Sequence, residues 1–312
     1  MEERRKKKRL FRNKWMGKVV FTFLLLGYTT FVLLETFVIP HGQQAVTAST
    51  TASSASAAAQ TSSTTVTATT PVVTDTSYSD GTKTITITTE QKDGTTYYVA
   101  DIQLTSADHL KTAFANGTYG RNIKETTSAM ASDNGAILAI NGDYYGFRDG
   151  GYVVRNGTVY RDSARTDTSG EDLVIDTSGN FSIIEESSTA LSSVTNAWQV
   201  FSFGPALVEN GQVAVTASTE VDQSMSSNPR TAIGQIGTLH YICVVSDGRT
   251  SESTGLSLEQ LAEIMKEKGC TTAYNLDGGG SSTMVFNGTV VNKPTTNGNK
   301  IEERSVSDCV YF

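Results

Sequence analysis

Residues 19–39 are apolar throughout except for Thr, Gly, Tyr and a single acid, Glu35. A helix needs roughly 20 such residues to cross a bilayer, and this stretch supplies 21. Ahead of it, residues 1–18 hold nine Lys/Arg against two acids, a local charge of +7. Basic residues on that side keep the N-terminus in the cytoplasm, so the rest of the chain is expected outside a single-pass anchor. A cleaved signal peptide is the alternative. Its apolar region is usually about 7–15 residues, shorter than this one, although small residues at Ala45–Ala48 offer a cleavage point. The uncleaved anchor is the reading adopted.

The anchor fixes how the remainder is partitioned. Between Thr47 and Ser79, 19 of 33 residues are Ser or Thr, and no charged residue occurs from Thr36 to Thr74. Such a stretch buries too little apolar surface to offset its ordering entropy and reads as a disordered spacer. The expected organisation is a basic tail (1–18), an anchor (19–39), a linker (40–78) and one extracytoplasmic domain (79–312). Outside the tail the balance is −14, which argues against nucleic acid as a partner. Cys243, Cys270 and Cys309 form an odd set. Cys243 and Cys309 lie in apolar runs and read as buried thiols rather than redox or metal groups.

Within 79–312, short β-branched runs alternate with turn residues, which predicts an α+β domain of mostly antiparallel sheet with few helices. Asp93-Gly94, Asn156-Gly157, Asn210-Gly211 and Asn287-Gly288 each separate two such runs, as tight hairpin turns require. The stretch SLEQLAEIMKEKG has capping-box spacing at Ser257 and Gln260, an apolar face and a terminal Gly269, and predicts a helix. A second helix is expected over 123–133, before the strand AILAI, and a strand over TTAYNLD.

Several chemistries lack their residues. The only histidines, His41, His109 and His240, are far apart, no G-x-S-x-G elbow is present, and the triple glycine has no P-loop lysine. No metal site and no cofactor are expected, though acidic loops leave room for a structural divalent cation. What recurs is an apolar strand stopping at Gly-bracketed polar residues: Asn141-Gly142-Asp143, Arg230 in NPRTAIG, Asp247 and Arg249 in VVSDGR, Asp277 in NLDGGGSST, and Glu303-Arg304 in EERSV. Each D-G pair alone reads as an Asx turn. Together they suggest an anionic, hydroxyl-bearing ligand. Arginine forks suit its oxygens, and Gly278–Gly280 would bring backbone N–H groups close to it.

Read in order, AILAINGDYYG, NPRTAIG, VVSDGR, GLSLEQLAEIMKEKG, NLDGGGSSTMV, NGTVVNKP and ERSV resemble the phosphodiester glycosidase family over about 130–312. The resemblance implies hydrolysis of a sugar-1-phosphodiester at its glycosidic bond, giving sugar and phosphomonoester. It implies Asp277 as the leading carboxylate, with Asp143 or Glu303 as a second. Arg230 and Arg304 would clamp the phosphate, with Arg249 next. Asn141, Gly142, Asp247, Asn292 and the 278–283 loop (Gly278, Gly279, Gly280, Ser281, Ser282, Thr283) would bind substrate. On this reading Gly279→Ala harms activity more than stability. An extracytoplasmic position points to cell-envelope or exopolysaccharide glycans as substrate. A non-catalytic glycan-binding or polymer-handling envelope protein is the alternative.

Overall fold

In the computed structural model the described residues are 2–46, 70–166, 170–216, 226–298 and 300–312, with side chains from residue 15 onward. The bulk of the expected spacer, 47–69, and residues 217–225 lie outside them. The chain divides into two units, Met1–His41 and Gly42–Phe312. The first is a helix, α1 (Glu2–Phe37). Its portion Trp15–Phe37 has a mean hydropathy of 1.8 and no buried residues, and is long and apolar enough to cross a membrane.

The second unit is built on antiparallel pairing, as the alternating runs predict. A nine-stranded sheet runs in the order Gln212–Val213, Ala206–Glu209, Thr272–Leu276, Thr231–Gly237, His240–Ser246, Thr95–Leu104, Lys83–Lys92, Ser77–Ser79 and Val72–Val73. A five-stranded sheet has the order Thr289–Val290, Met284–Phe286, Leu138–Asn141, Asp308–Tyr311, Lys111–Phe114. Another has the order Thr158–Arg161, Val153–Arg155, Ala197–Phe201, Glu171–Asp176, Phe181–Glu185. The hairpins turn where expected: Asn156 and Gly157 have φ of 50° and 78°, and Asn287 and Gly288 of 47° and 76°. Asparagine tolerates the left-handed region because its short amide bonds locally. Ordered sheet begins before residue 79, because Val72 and Val73 pair with Ser79 and Tyr78.

Period-two alternation along the central strands serves two cores. Tyr97, Val99, Ile242 and Val244 face α3 (Leu258–Glu267), which buries Leu258, Leu261, Ala262, Ile264 and Met265. Each of its Leu, Ile and Met side chains contributes about 1.5–3 kcal/mol on burial. The capping box at α3 is complete, with the Ser257 hydroxyl accepting from Gln260 N and the Gln260 side chain accepting from Ser257 N. On the opposite face Tyr98, Ala100, Ile102, Cys243 and Val245 pack with Leu138, Ile140, Val310 and Phe312 of the second sheet and with Leu173 and Phe201 of the third.

The helix α2 (Thr127–Asp133) covers the outside of the second sheet, with Met130 clustered among Ala113, Val306 and Cys309. It is shorter than the 123–133 expected. Glu125 is bridged in extended form to Val306, and Thr126 caps the helix by accepting from Ala129 N. All three cysteines are buried and free.

Candidate active site

Strand ends from two sheets meet at one point. Thr272–Leu276 in the nine-stranded sheet stops at Asp277, and Leu138–Asn141 in the second sheet stops at Gly142 and Asp143. Beside the latter, the strand Asp308–Tyr311 begins at Asp308. Two hydrogen bonds stitch the sheets together here: Asp277 N donates to Gly142 O at 3.2 Å, and Asn141 Nδ2 to Asp277 O at 2.6 Å. A cavity of about 240 Å³ opens at this seam, lined among others by Lys124, Asp143, Tyr144, Asp277, Ser281 and Arg304.

The two carboxylates in the cavity are held differently. Asp143 is fully engaged: Oδ1 accepts from Tyr144 N and from Arg148 Nη2 at 2.6 Å, and Oδ2 accepts from Ser202 N at 2.9 Å. Arg155 Nη2 lies 3.6 Å from the same Oδ2. Burial works against its charge, but Arg148 and Arg155 outweigh it and hold the carboxyl below the usual range. Asp277 takes its side-chain hydrogen bonds at Oδ2, from Ser281 Oγ at 2.6 Å and Arg304 Nη2 at 3.2 Å. Burial dominates there and raises its pKa against the opposing effects of Arg304 and Ser281. The charged form is therefore favoured by two arginines at Asp143 and disfavoured by burial at Asp277.

Arg304 reaches across the 278–281 turn. Its Nη2 donates to Ser281 Oγ at 2.5 Å and to Gly278 O at 3.1 Å, and its Nε donates to Ser281 Oγ at 2.9 Å. At the cavity wall Tyr144 is 39% exposed and stacks on Phe147 with ring centroids 4.9 Å apart.

The other residues singled out in the sequence take different places. Arg230 donates from Nε to Leu256 O at 2.9 Å, and burial, together with Arg249, lowers its pKa to about 10. Arg249 donates to Asn228 Oδ1. Neither arginine lines the cavity. Glu303 turns to α2, accepting from Ser128 N at 3.1 Å and Ser128 Oγ at 2.5 Å. Asp247 accepts from Lys293 N and the Tyr98 hydroxyl, and burial raises its pKa. Asn292 accepts from Met284 N and donates to Ser282 O. Asn141 Oδ1 accepts from Thr231 Oγ1 and Thr283 N. These side chains brace the loops. Ser282 and Thr283 are buried, and their hydroxyls make no hydrogen bond.

The triple glycine is shaped by its neighbours. Gly279 N donates to Pro229 O at 2.8 Å, so that amide is already committed within the fold. Gly279 has φ +63°, and a Cβ there would stand 2.9 Å from Arg249 Nη2. At Gly280 a Cβ would lie 3.1 Å from Thr296 Oγ1. Close packing meets both glycines, and at Gly279 the amide is spent within the fold.

Several residues of the site escaped the sequence reading, Asp308 among them. Lys124 and Phe147 come from loop positions with no distinctive pattern, Tyr144 lies within AILAINGDYYG but is not singled out there, and Arg148 shares the hold on Asp143 with Arg155. Behind them Arg155 is 2% exposed, bonded through Nε to Asp308 Oδ2 at 2.8 Å and lying 4.2 Å from the centroid of the Phe201 ring. A charged residue flanking an Asn-Gly turn looks like a solvent-facing one. Among the described residues no group of His, Cys, Asp or Glu could hold a metal ion.

The sequence profile of the family described as phosphodiester glycosidase matches residues 134–312. Among curated proteins, the N-acetylglucosamine-1-phosphodiester alpha-N-acetylglucosaminidases of Mus musculus and Homo sapiens are each 34% identical over 101 residues, 28% of this chain and 19% of theirs. The SPbeta prophage-derived uncharacterized protein YomE of Bacillus subtilis (strain 168) is 28% identical over 181 residues, 56% of this chain and 28% of that protein. The chain thus spans less than a third of the length of these relatives. In structure it resembles the catalytic domain of zebrafish N-acetylglucosamine-1-phosphodiester alpha-N-acetylglucosaminidase auto-inhibited by its pro-peptide. That match has a TM-score of 0.59 at 20% identity and covers 74% of this chain and 82% of that one. A hypothetical protein from Synechocystis gives 0.50 at 14% identity, over 74% and 62%. At these identities the likeness is one of fold.

Proposed function

The chain belongs to the phosphodiester glycosidase family, and from that premise we propose that the cavity at Asp277 hydrolyses the glycosidic bond of sugar-1-phosphodiesters. Water adds to the sugar C1, the C1–O bond breaks, and a phosphomonoester departs with the bonding electron pair. The observation that carries this reading is that Asp277, Ser281 and Arg304 share one cavity with a second carboxylate, Asp143.

Asp277 is the group that acts at C1, either by attacking it directly or by taking a proton from the water that does. Its raised pKa makes it a better base than an exposed carboxylate. Arg304, with Lys124 on the same cavity, neutralises charge as it gathers on the leaving phosphate. Asp143, kept ionised by Arg148 and Arg155, provides a fixed negative charge for the electron-poor sugar ring. A phosphomonoester is a good leaving group, so a strong general acid is not required.

The placement in the cell belongs to the same proposal. The apolar segment Trp15–Phe37 serves as an uncleaved single-pass anchor, with the basic tail in the cytoplasm. The Ser/Thr-rich stretch spaces the catalytic domain from the membrane, where it meets glycans of the cell envelope or exopolysaccharide. Sugar release from a panel of sugar-1-phosphodiesters, with Asp277→Asn as control, tests the activity. The reading is abandoned if the purified chain releases no sugar from any member. Protease accessibility of the domain on intact cells tests the topology.

A further inference from the structure

The loops 119–125 and 143–149 serve two cavities, not one. Lys124, Asp143, Tyr144 and Phe147 face the cavity at Asp277. Other residues of the same loops, with Arg161, line a second cavity of about 40 Å³. The loops are tied together by Asn122 N donating to Gly146 O at 3.2 Å. Arg148 belongs to both sides. It lines the second cavity, while its Nη2 holds Asp143 of the first.

The lining of the second cavity is rich in arginine, with Arg148 shared with Asp143 on its other side. Arg121, Arg148 and Arg161 line it against one carboxylate, Asp149. Asp149 is 80% exposed on its side chain and pairs with Arg121 at the rim. Arg161 is fixed from behind, with Nε bonded to Gly151 O at 2.6 Å and Nη1 to Arg148 O at 2.7 Å and Tyr145 O at 3.1 Å. The buried Nε of Arg148 makes no hydrogen bond, and the buried Nη2 of Arg161 makes none of good geometry, with the Tyr119 hydroxyl as the polar group beside that guanidinium. Leaving charged donors dry and unpaired is costly, and an oxyanion is the group that guanidinium donors pair with best. The space exceeds the roughly 10–15 Å³ that one water needs, so a group of several heavy atoms has room.

We propose that this second cavity binds a phosphoryl group: a further phosphate on the same substrate chain whose glycosidic phosphodiester lies at Asp277. The favoured substrates are then glycans or polyols carrying more than one phosphate. The substrate assignment rests on the function proposed above, whereas the anion site rests on the arginines alone.

The test uses the full chain in detergent and two synthetic substrates with the same sugar-1-phosphodiester, one bearing an additional phosphomonoester on its aglycone. The second phosphate is expected to lower KM by about ten-fold, and Arg121→Gln to bring the ratio of the two KM values close to one, with Arg121→Lys restoring part of it. Equal KM values for the wild-type chain overturn the substrate assignment. In a second arm, calorimetry follows inorganic phosphate binding to the wild-type and Arg121→Gln chains. Binding that Arg121→Gln weakens supports the anion site, and binding unaffected by it overturns the site. Free phosphate bound in this way without any KM preference makes the ligand free phosphate and overturns the chain assignment. If neither substrate is hydrolysed, the catalytic reading has failed, and the calorimetric arm still decides the anion site.

Discussion

The Ser281 hydroxyl donates to Asp277 Oδ2 at 2.6 Å, and Arg304 Nη2 donates to both residues. This three-way contact opposes the effect of burial on the charge of the carboxylate. Asp277→Asn is expected to lower kcat on the order of 10³-fold or more while leaving the melting temperature close to wild type, because the amide keeps the shape of the group. Steady-state rates and calorimetry on the same preparation check both halves.

Ser281→Ala tests the tuning. The hydroxyl lowers the Asp277 pKa while burial raises it, so its loss moves the pKa up further. Activity that needs the ionised carboxylate is present above that pKa and is lost as pH falls through it. The acid limb of the kcat/KM profile is therefore expected at higher pH in Ser281→Ala than in wild type. An unmoved limb would detach Asp277 from the rate-controlling ionisation.

Gly279→Ala is expected to act mainly on the fold. Its amide is bonded to Pro229 O, its φ is +63°, and the added methyl meets the far end of Arg249. The left-handed conformation costs an alanine about 1–2 kcal/mol. Denaturant unfolding should show a loss of that order, with turnover per folded molecule reduced far less than in Asp277→Asn.

Arg155→Met removes the cation between two buried carboxylates, Asp308 at 2.8 Å and Asp143 at 3.6 Å. Breaking a buried pair from one side typically costs about 3–5 kcal/mol. The double change Arg155→Met with Asp308→Asn leaves one fewer buried charge and is expected to recover part of the loss in equilibrium unfolding.

Asp172 offers a pH test away from the cavity. Burial, and then the neighbouring Glu186, push its pKa up to about 10, while Arg165 opposes them. A carboxyl raised in the folded state contributes stability that is full below its unfolded pKa and declines as pH rises towards its folded one. Asp172→Asn is expected to remain folded at neutral pH and to lose that decline. Unfolding free energies measured at several pH values above 4 decide it.

What the sequence disclosed was local or lay at a strand end. Asn-Gly turns need only two adjacent residues, and the α3 capping box needs four, so both were readable. Asp277, Asp143 and Arg304 were visible because apolar strands stop beside them or they flank the last one. Glu303, Asp247 and Asn292 share that setting, yet they serve Ser128, Lys293 and Met284. Nothing within a few residues of Glu303 reveals a partner 175 positions away. The same distance hid Arg155, whose carboxylate partner lies 153 positions along the chain. Tyr144 and Phe147 become a wall of the cavity only when two sheets bring their loop to Asp277.

Gly142 and Asp308 carry a consequence for how such chains diverge. A Cβ at 142 would overlap Asp308 Oδ1, and that oxygen accepts from Asp143 N at 2.8 Å. The two positions therefore do not drift independently: any side chain at 142 must first evict a carboxylate that anchors the backbone of a cavity residue. Viable replacements at the pair have to arrive together, or through an intermediate that has already surrendered the site.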